Sequence, residues 1–537
     1  MSFLLACSSC MEGHWFGGDC SEPGGNNEMS NFMNNTYGAS ARVLVGLLVL
    51  PLAIACGADD GSNDPMDDGA EETGADPDPD TSASEGTPDP DPDPDPDPDD
   101  TGDNGTGTGE PADPTLDDEL RQLLDDQGVE SVTPPPPQDP DMVTLGQQLF
   151  FEKELAGRRN ISCATCHHPL LGSADAQSQS RGQGATGLGP ARQHGPNSLF
   201  LARNTLSLWN RGVPGWDVMF WDGRLGGNPD EGFFSPAGDD TPQDFTNALA
   251  EFFIIPVTPD EEMRGFPGEL DVFGQPNEMA DLTNDDFADI WPLVVDRALG
   301  VPEYREQLTE LFGVAEEEIN IVHLAEATAA FMTEAFTALD SPFDRYLAGD
   351  DSALSNAAKR GAILFYGRAS CSACHSGGLQ TDQSFHNIAA PQVGTGKGEE
   401  APLDFGRGRV TGEEADNFQF RTPSLRNIEL EGPWMHNGAY ADLEDTVRHH
   451  LDPESALISY DDFQVEPELR GTYQDDPETI DMLMGSLDPL LAVEGDPLND
   501  DDVSDLMAFL SALTDPSSLN LLHLVPDSVP SGLPVDD

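Results

Sequence analysis

The sequence predicts a mainly α-helical fold in which one unit is used twice, with long loops between its helices. Three observations predict this. The pentapeptide Cys163-Ala164-Thr165-Cys166-His167 returns as Cys371-Ser372-Ala373-Cys374-His375. Each copy stands behind the same Gly-x-x-Leu-Phe pattern on an apolar-periodic segment, at Gly146 to Phe150 and at Gly361 to Phe365. Strand-like alternation is scarce, whereas helical periodicity is frequent.

The pentapeptide says what the unit holds. Cys-x-x-Cys-His is the pattern of c-type haem attachment: two thiols add to the vinyl groups and the adjacent imidazole becomes an axial iron ligand. A zinc knuckle or a redox dithiol would be the competing reading. Zinc asks for further Cys or His at close spacing, and no other Cys follows residue 56. The fold class is therefore two duplicated cytochrome c-like haem domains. The cofactors are two covalently bound haem c groups on Cys163, Cys166, Cys371 and Cys374, with His167 and His375 as proximal ligands.

The elements follow in chain order. Residues 1–56 contain an apolar run, Val43 to Ala55, preceded by Arg42 and interrupted by Pro51. It is too short to span a bilayer but suits a signal peptide. Leu52-Ala53-Ile54-Ala55-Cys56 looks like a bacterial lipobox, which makes the chain a lipoprotein of the periplasm or cell envelope, lipid-anchored through Cys56; an ordinary cleaved secretory signal is the other reading. Residues 1–28, with Cys7, Cys10 and Cys20, fit no export logic, and Met29 or Met33 is the better start. Residues 57–138 form an acidic Asp/Pro-rich spacer. From Gly57 to Pro114 it holds 21 acidic residues and no Lys or Arg. Such a segment buries too little apolar surface to offset its chain entropy, and is expected to be extended and disordered. One short helix, Leu116 to Asp126, interrupts it before Pro134 to Pro137.

An N-terminal haem domain is then expected over 139–345 and a C-terminal one over 346–525, with a tail over 526–537. Helices are expected over Phe245 to Phe253, Phe287 to Leu299, Pro302 to Phe312, Ile319 to Leu339 and Asp500 to Thr514, separated by Pro, Gly and Asp clusters. The chain's 537 residues carry a formal charge of −76, and the spacer accounts for only part of the excess. Nucleic acid is excluded as a partner, since phosphate binding needs Lys and Arg clusters. An acidic surface steers basic partners instead.

Further stretches carry a family resemblance: Ala202-Arg203-Asn204-Thr205, Phe220-Trp221-Asp222-Gly223-Arg224, Pro256-Val257 with Glu262-Met263, and Phe420-Arg421-Thr422-Pro423-Ser424-Leu425-Arg426-Asn427-Ile428 running on to Pro433-Trp434-Met435-His436-Asn437-Gly438. With the two haem motifs, in this order over roughly 140–520, the chain resembles the bacterial di-haem cytochrome c peroxidases, including their MauG-type branch. The resemblance implies reduction of hydrogen peroxide to water with electrons from a small periplasmic redox protein, a cytochrome c or a cupredoxin. It makes the N-terminal haem peroxidatic and the C-terminal haem the electron entry, and it allows a homodimer.

The resemblance also assigns roles. Glu262 is the catalytic proton shuttle, and Asn277-Glu278-Met279 is a fallback of similar pattern. Where relatives often carry Gln, four residues before Pro256, this chain has Phe252. Trp221 falls between the haems as a relay or a core residue. Asn204, Glu431 and Pro433 fall where relatives bind Ca²⁺, the middle position mostly through its backbone oxygen. In some relatives a distal His on a mobile loop closes the first iron; here the Gly-rich loop 172–197 offers His194. Counting fourteen residues from His436 reaches His450, in place of the Met or Tyr that relatives use as distal ligand of the second iron. His449 and Met435 are the substitutes. Two other functions are compatible with these motifs: a di-haem electron-transfer protein without peroxidase activity, and a MauG-like oxidase acting on a partner protein.

Overall fold

The computed structural model describes residues 114–491 and 497–535. The expected signal segment, Cys56 and the greater part of the acidic spacer lie outside the described residues. The helices, in order, are α1 (Pro114–Asp126), α2 (Pro140–Phe150), α3 (Cys163–Cys166), α4 (Ala248–Phe252), α5 (Phe287–Gly300), α6 (Pro302–Phe312) and α7 (Ile321–Phe336). They continue with α8 (Pro342–Leu347), α9 (Asn356–Tyr366), α10 (Gly408–Thr411), α11 (Leu443–Leu451), α12 (Pro453–Ser459), α13 (Pro477–Gly485) and α14 (Asp500–Ser511). Sheet is minor. β1 (Val218–Met219), β2 (Leu225–Asn228) and β3 (Gly232–Phe234) form an antiparallel meander; β4 (Phe385–His386) pairs antiparallel with β5 (Phe420–Arg421). The fold is mainly helical.

Local chemistry sets the ends of the main helices. Asp139 caps α2 by accepting from Asp141 N–H, with Pro140 in the first turn. Asn320 caps α7, Ser355 caps α9, and Asn499 caps α14 above a first turn of three aspartates. The expected helix at 245–253 is confined to α4, because its cap, Asn247, accepts from Ala250 N–H and starts the helix there.

Two helix crossings place the haem motifs, and they are built alike. α2 crosses α7 at Gly146, where a Cβ would stand 1.9 Å from the Ala327 carbonyl oxygen. α9 crosses α14 at Gly361, where it would stand 1.8 Å from the Asp505 oxygen. Four residues on, Phe150 meets Phe331 with centroids 5.2 Å apart and Phe365 meets Phe509 at 5.1 Å. Only glycine lets backbones approach so closely.

Two large apolar clusters result. One runs from Leu145 to Ala338 and the other from Phe343 to Leu513, and each takes in residues from the far end of the chain. The first includes Leu521 and Val529; the second includes Leu120 and Leu124 of α1. Gln147 donates to Leu524 O at 2.9 Å, and Ser531 donates to Glu152 at 2.7 Å. At the other end, Lys359 pairs with Asp117 at 2.7 Å. The expected spacer therefore stops short of 138: from α1 onward the chain is seated on the second cluster, because Leu120 and Leu124 give it an apolar stripe. Among the described residues no helix is long and apolar enough to cross a membrane.

Candidate active site

α3 begins the first site. Thr165 Oγ1 accepts from Ser162 N–H at 3.0 Å and His167 N–H closes the turn on Cys163 O at 2.9 Å, which throws the imidazole out of the helix. His167 Nδ1 donates to Ser173 O at 3.2 Å, leaving Nε2 unprotonated. Burial pushes its pKa down to about 4, so the ring stays neutral. A cavity opens beside it, lined by Cys163, Cys166, His167, Trp221, Arg224, Glu262 and Lys397 among apolar residues from α2, α4 and α7.

Glu262 sits in a π-helical turn, Asp260–Arg264, that follows Pro259. Burial raises its carboxyl pKa, while Arg224 and Lys397 hold it back. Neighbouring Glu261 does not line the cavity; its carbonyl oxygen accepts from Gln183 N–H at 2.9 Å. Glu278 pairs with Arg297 at 2.6 Å outside the cavity, which removes it as the fallback acid. Phe252 lines the cavity, edge-on to His167.

His194 is a correction. It is exposed, bonded to Ser198 Oγ at 3.0 Å and edge-on to Phe200, and it does not line the cavity. The loop around it is not slack either. Asp175, Gln177, Gln179, Arg181, Gln183 and Arg192 are buried, and Arg192 donates to the carbonyls of Arg181 and Gly187. Thr186 and Gln193 exchange both backbone hydrogen bonds, which turns His194 outward. Through Gln183 the loop instead props the turn that carries Glu262.

The second site mirrors the first. His375 Nδ1 donates to Gln380 O at 3.2 Å, and burial pushes its pKa down to about 4. Its cavity is lined by Cys371, Cys374, His375 and, on α11, His450, whose Nδ1 donates to Thr446 O at 2.8 Å. His167, His375 and His450 thus share one arrangement, with Nδ1 held by a backbone carbonyl and Nε2 free to ligate. His449 has both nitrogens engaged, by Tyr440 Oη at 2.9 Å and Ile388 O at 2.8 Å, so it is no substitute for His450. Met435 lines the cavity with His450. Cys374, Asp382 and His386 also lie together, but the Cys374 sulfur belongs to the haem motif.

Trp221 lines both cavities. The β1–β2 turn presents it, its Nε1 donates to Asn204 O at 2.9 Å, and its carbonyl accepts from Arg421 N–H on β5 at 2.7 Å. Asn204, Glu431 and Pro433 all line the second cavity. Burial raises the Glu431 carboxyl to about 7, against a hydrogen bond with Ser207 and the pull of Arg211 and Arg421.

The sequence reading missed a buried charge network between the cavities and the loop 394–404. Arg203 donates to Asp222 at 2.5 Å and, through two nitrogens, to Asp404 at 2.6 and 2.9 Å; Arg224 donates to Asp222 at 3.1 Å. Lys397 joins this group at the first cavity. The signal available for it was rarity, since it is one of three lysines in the chain.

Each cavity thus offers two thiols, a neutral imidazole with a free nitrogen, and apolar walls, which is the donor set a covalently bound haem requires. The family described as "Di-haem cytochrome c peroxidase" matches residues 140–352. The chain is 34% identical over 318 residues to "Methylamine utilization protein MauG" of Methylorubrum extorquens, covering 59% of this chain and 70% of that protein. It is 29% identical over 322 residues to "Cytochrome c551 peroxidase" of Nitrosomonas europaea, covering 60% and 75%. The solved diheme peroxidase BthA from Burkholderia thailandensis aligns with a TM-score of 0.48 at 22% identity, over 74% of this chain and 90% of that one. The chain belongs to the di-haem cytochrome c peroxidase family. It is an oxidoreductase, and the family implies two c-type haems.

Proposed function

We infer that the protein reduces hydrogen peroxide to water at the first cavity, with electrons that enter through the second. The observation that carries this is the meeting of His167 and Glu262 in one apolar-walled cavity, with Trp221 shared between that cavity and the next. A haem c on Cys163, Cys166 and His167 supplies iron chemistry for O–O cleavage when bound. Glu262 takes a proton from one peroxide oxygen and delivers it to the other, so that oxygen departs as water rather than hydroxide. The remaining two electrons and two protons complete the second water. A small redox protein, a cytochrome c or cupredoxin, is the electron source; Trp221, which lines both cavities, is the relay between them. At the second, His375 and His450 offer two imidazoles, which favour a low-potential, low-spin iron over a His/Met pair.

The remaining readings belong to the same proposal. The haem domains span 139–345 and 346–525 and arose by duplication, which the matched crossings at Gly146 and Gly361 support. A signal and lipobox over 1–56, a spacer after it, and anchoring through Cys56 place the catalytic body in the periplasm. Ca²⁺ would draw on the Asn204 amide oxygen and the backbone oxygens of Glu431 and Pro433, because the Glu431 carboxylate answers Arg211 and Arg421.

The test is peroxide turnover by the fully reduced protein with a c-type donor, together with ligand spectra of the half-reduced form. Glu262→Gln should lower turnover by 100-fold or more, on the order expected for general acid–base catalysis, with haem content unchanged. No turnover by the reduced wild type, with both irons six-coordinate, would leave an electron carrier. The exposure of His194 favours the enzyme. A MauG-like oxidase acting on a partner protein is the second reading, favoured by the 34% identity to a protein of that name.

A further inference from the structure

Lys397 lines the first cavity, although it is carried by the chain beyond the second haem motif. Its loop is fastened to the first half. Gln179 Oε1 accepts from Thr395 N–H at 3.1 Å and from Thr395 Oγ1 at 3.3 Å, while Gln179 Nε2 donates to Ala202 O at 2.7 Å. Gly394, at φ +98°, lies so close that a Cβ there would stand 2.2 Å from Gln179. Lys397 N–H itself closes the loop on Leu403 O at 3.0 Å. The side chain is therefore delivered to the cavity by a fixed loop.

The charged groups acting on it are Arg224, Arg203, Glu262 and Asp222, and Glu262 in turn has Glu261 beside it on the same turn. Arg203 is spent on Asp222 and Asp404, and Arg224 on Asp222. Neither the Lys397 ammonium nor the Glu262 carboxyl has a hydrogen-bond or ion-pair partner among the described residues. Arg224 and Lys397 both act on Glu262, but Arg224 is already paired with Asp222, which leaves the Lys397 ammonium as the unpaired cation beside the carboxyl. In a low-dielectric cavity such a charge pair is worth more than on a surface.

We propose that Lys397 is a positioning residue for Glu262: through space, its ammonium holds Glu262 as the carboxylate that receives the first peroxide proton. This rests on the reading of Glu262 as proton shuttle. In the step concerned, one O–H bond of the peroxide breaks and one O–H bond forms on the carboxylate, with no change of oxidation state. Burial works against both members, raising the carboxyl and pushing the ammonium down to about 8, so each stabilises the charge of the other.

Cyanide association with the ferric holoprotein tests this without turnover, because HCN, like peroxide, must give up a proton to bind as the anion. The rate is followed by Soret absorption across pH. In the wild type it falls as Glu262 protonates on the acid side. Lys397→Met should move that fall to higher pH by about one unit, the low end of the effect of a nearby opposite charge, so the rate on the acid limb drops about tenfold. Lys397→Gln, a second neutral variant, should match it, and Lys397→Arg should restore the wild-type position. In Glu262→Gln the acid fall should vanish, and adding Lys397→Met should change nothing further. Neutral variants that keep the wild-type profile, or an arginine variant that fails to rescue, would overturn the role of Lys397. An acid fall untouched by Glu262→Gln would instead overturn the assignment of Glu262.

Discussion

At the scale of single residues, the site turns on which titratable groups are partnered. Glu251, on α4, is fully buried, and neither carboxyl oxygen has a hydrogen-bond partner among the described residues. Burial raises its pKa to about 9, so it is neutral in the folded state where the unfolded chain is ionised. Folding then takes up a proton, and stability falls as pH rises from about 4.5 through about 9. Glu251→Gln should remove that slope. Denaturant midpoints should show the variant more stable than the wild type at pH 8, by about 1–3 kcal/mol, and little different at pH 4. Much of this scale could be read from the sequence. Cys163, Cys166 and His167 could, because haem attachment is a contiguous pattern. Glu262 and His450 could only through spacing within a resemblance. His194 could not, since spacing does not say which way a loop turns. Lys397 lies far along the chain from Glu262, and only the folded loop joins them.

At the scale of elements, the two glycine crossings bear the haem motifs. Gly361→Ala or Gly146→Ala forces a methyl against a backbone carbonyl, which cannot rotate away. Each should cost at least the 1–3 kcal/mol typical of overpacking, seen as a lowered thermal midpoint. Gly300→Ala, where a Cβ meets open space, serves as the control. The long helices α5, α6 and α7 were legible in the sequence because apolar periodicity and Pro, Gly or Asn punctuation agree there. α11 was not expected, since nine residues give periodicity little room. β1 to β5 escaped for the same reason, being two to four residues each. Yet the β1–β2 turn is what aims Trp221 and Arg224.

At the scale of the whole molecule, the two halves meet through Arg203 and Asp404 and through Asn204, whose N–H donates to His436 O at 2.8 Å. Calcium at Asn204, Glu431 and Pro433 would sit on this seam. Treatment with a strong chelator should lower peroxide turnover while leaving haem content intact, with recovery on adding Ca²⁺; unchanged turnover in metal-free protein would dismiss the ion. The two haem motifs and their matched Gly-x-x-Leu-Phe helices were legible in the sequence, but the exchange of chain ends was not. Leu120, Leu124, Leu521 and Val529 sit in segments whose local composition looks like linker. That exchange makes the halves inseparable as pieces. A fragment cut at the expected boundary near 345 would keep α1 without the surface it covers, and would lose the tail segment whose Leu521 and Val529 join its own core. The two halves, each with its own haem motif, are thus laced into a single folding unit, one that should melt once rather than twice.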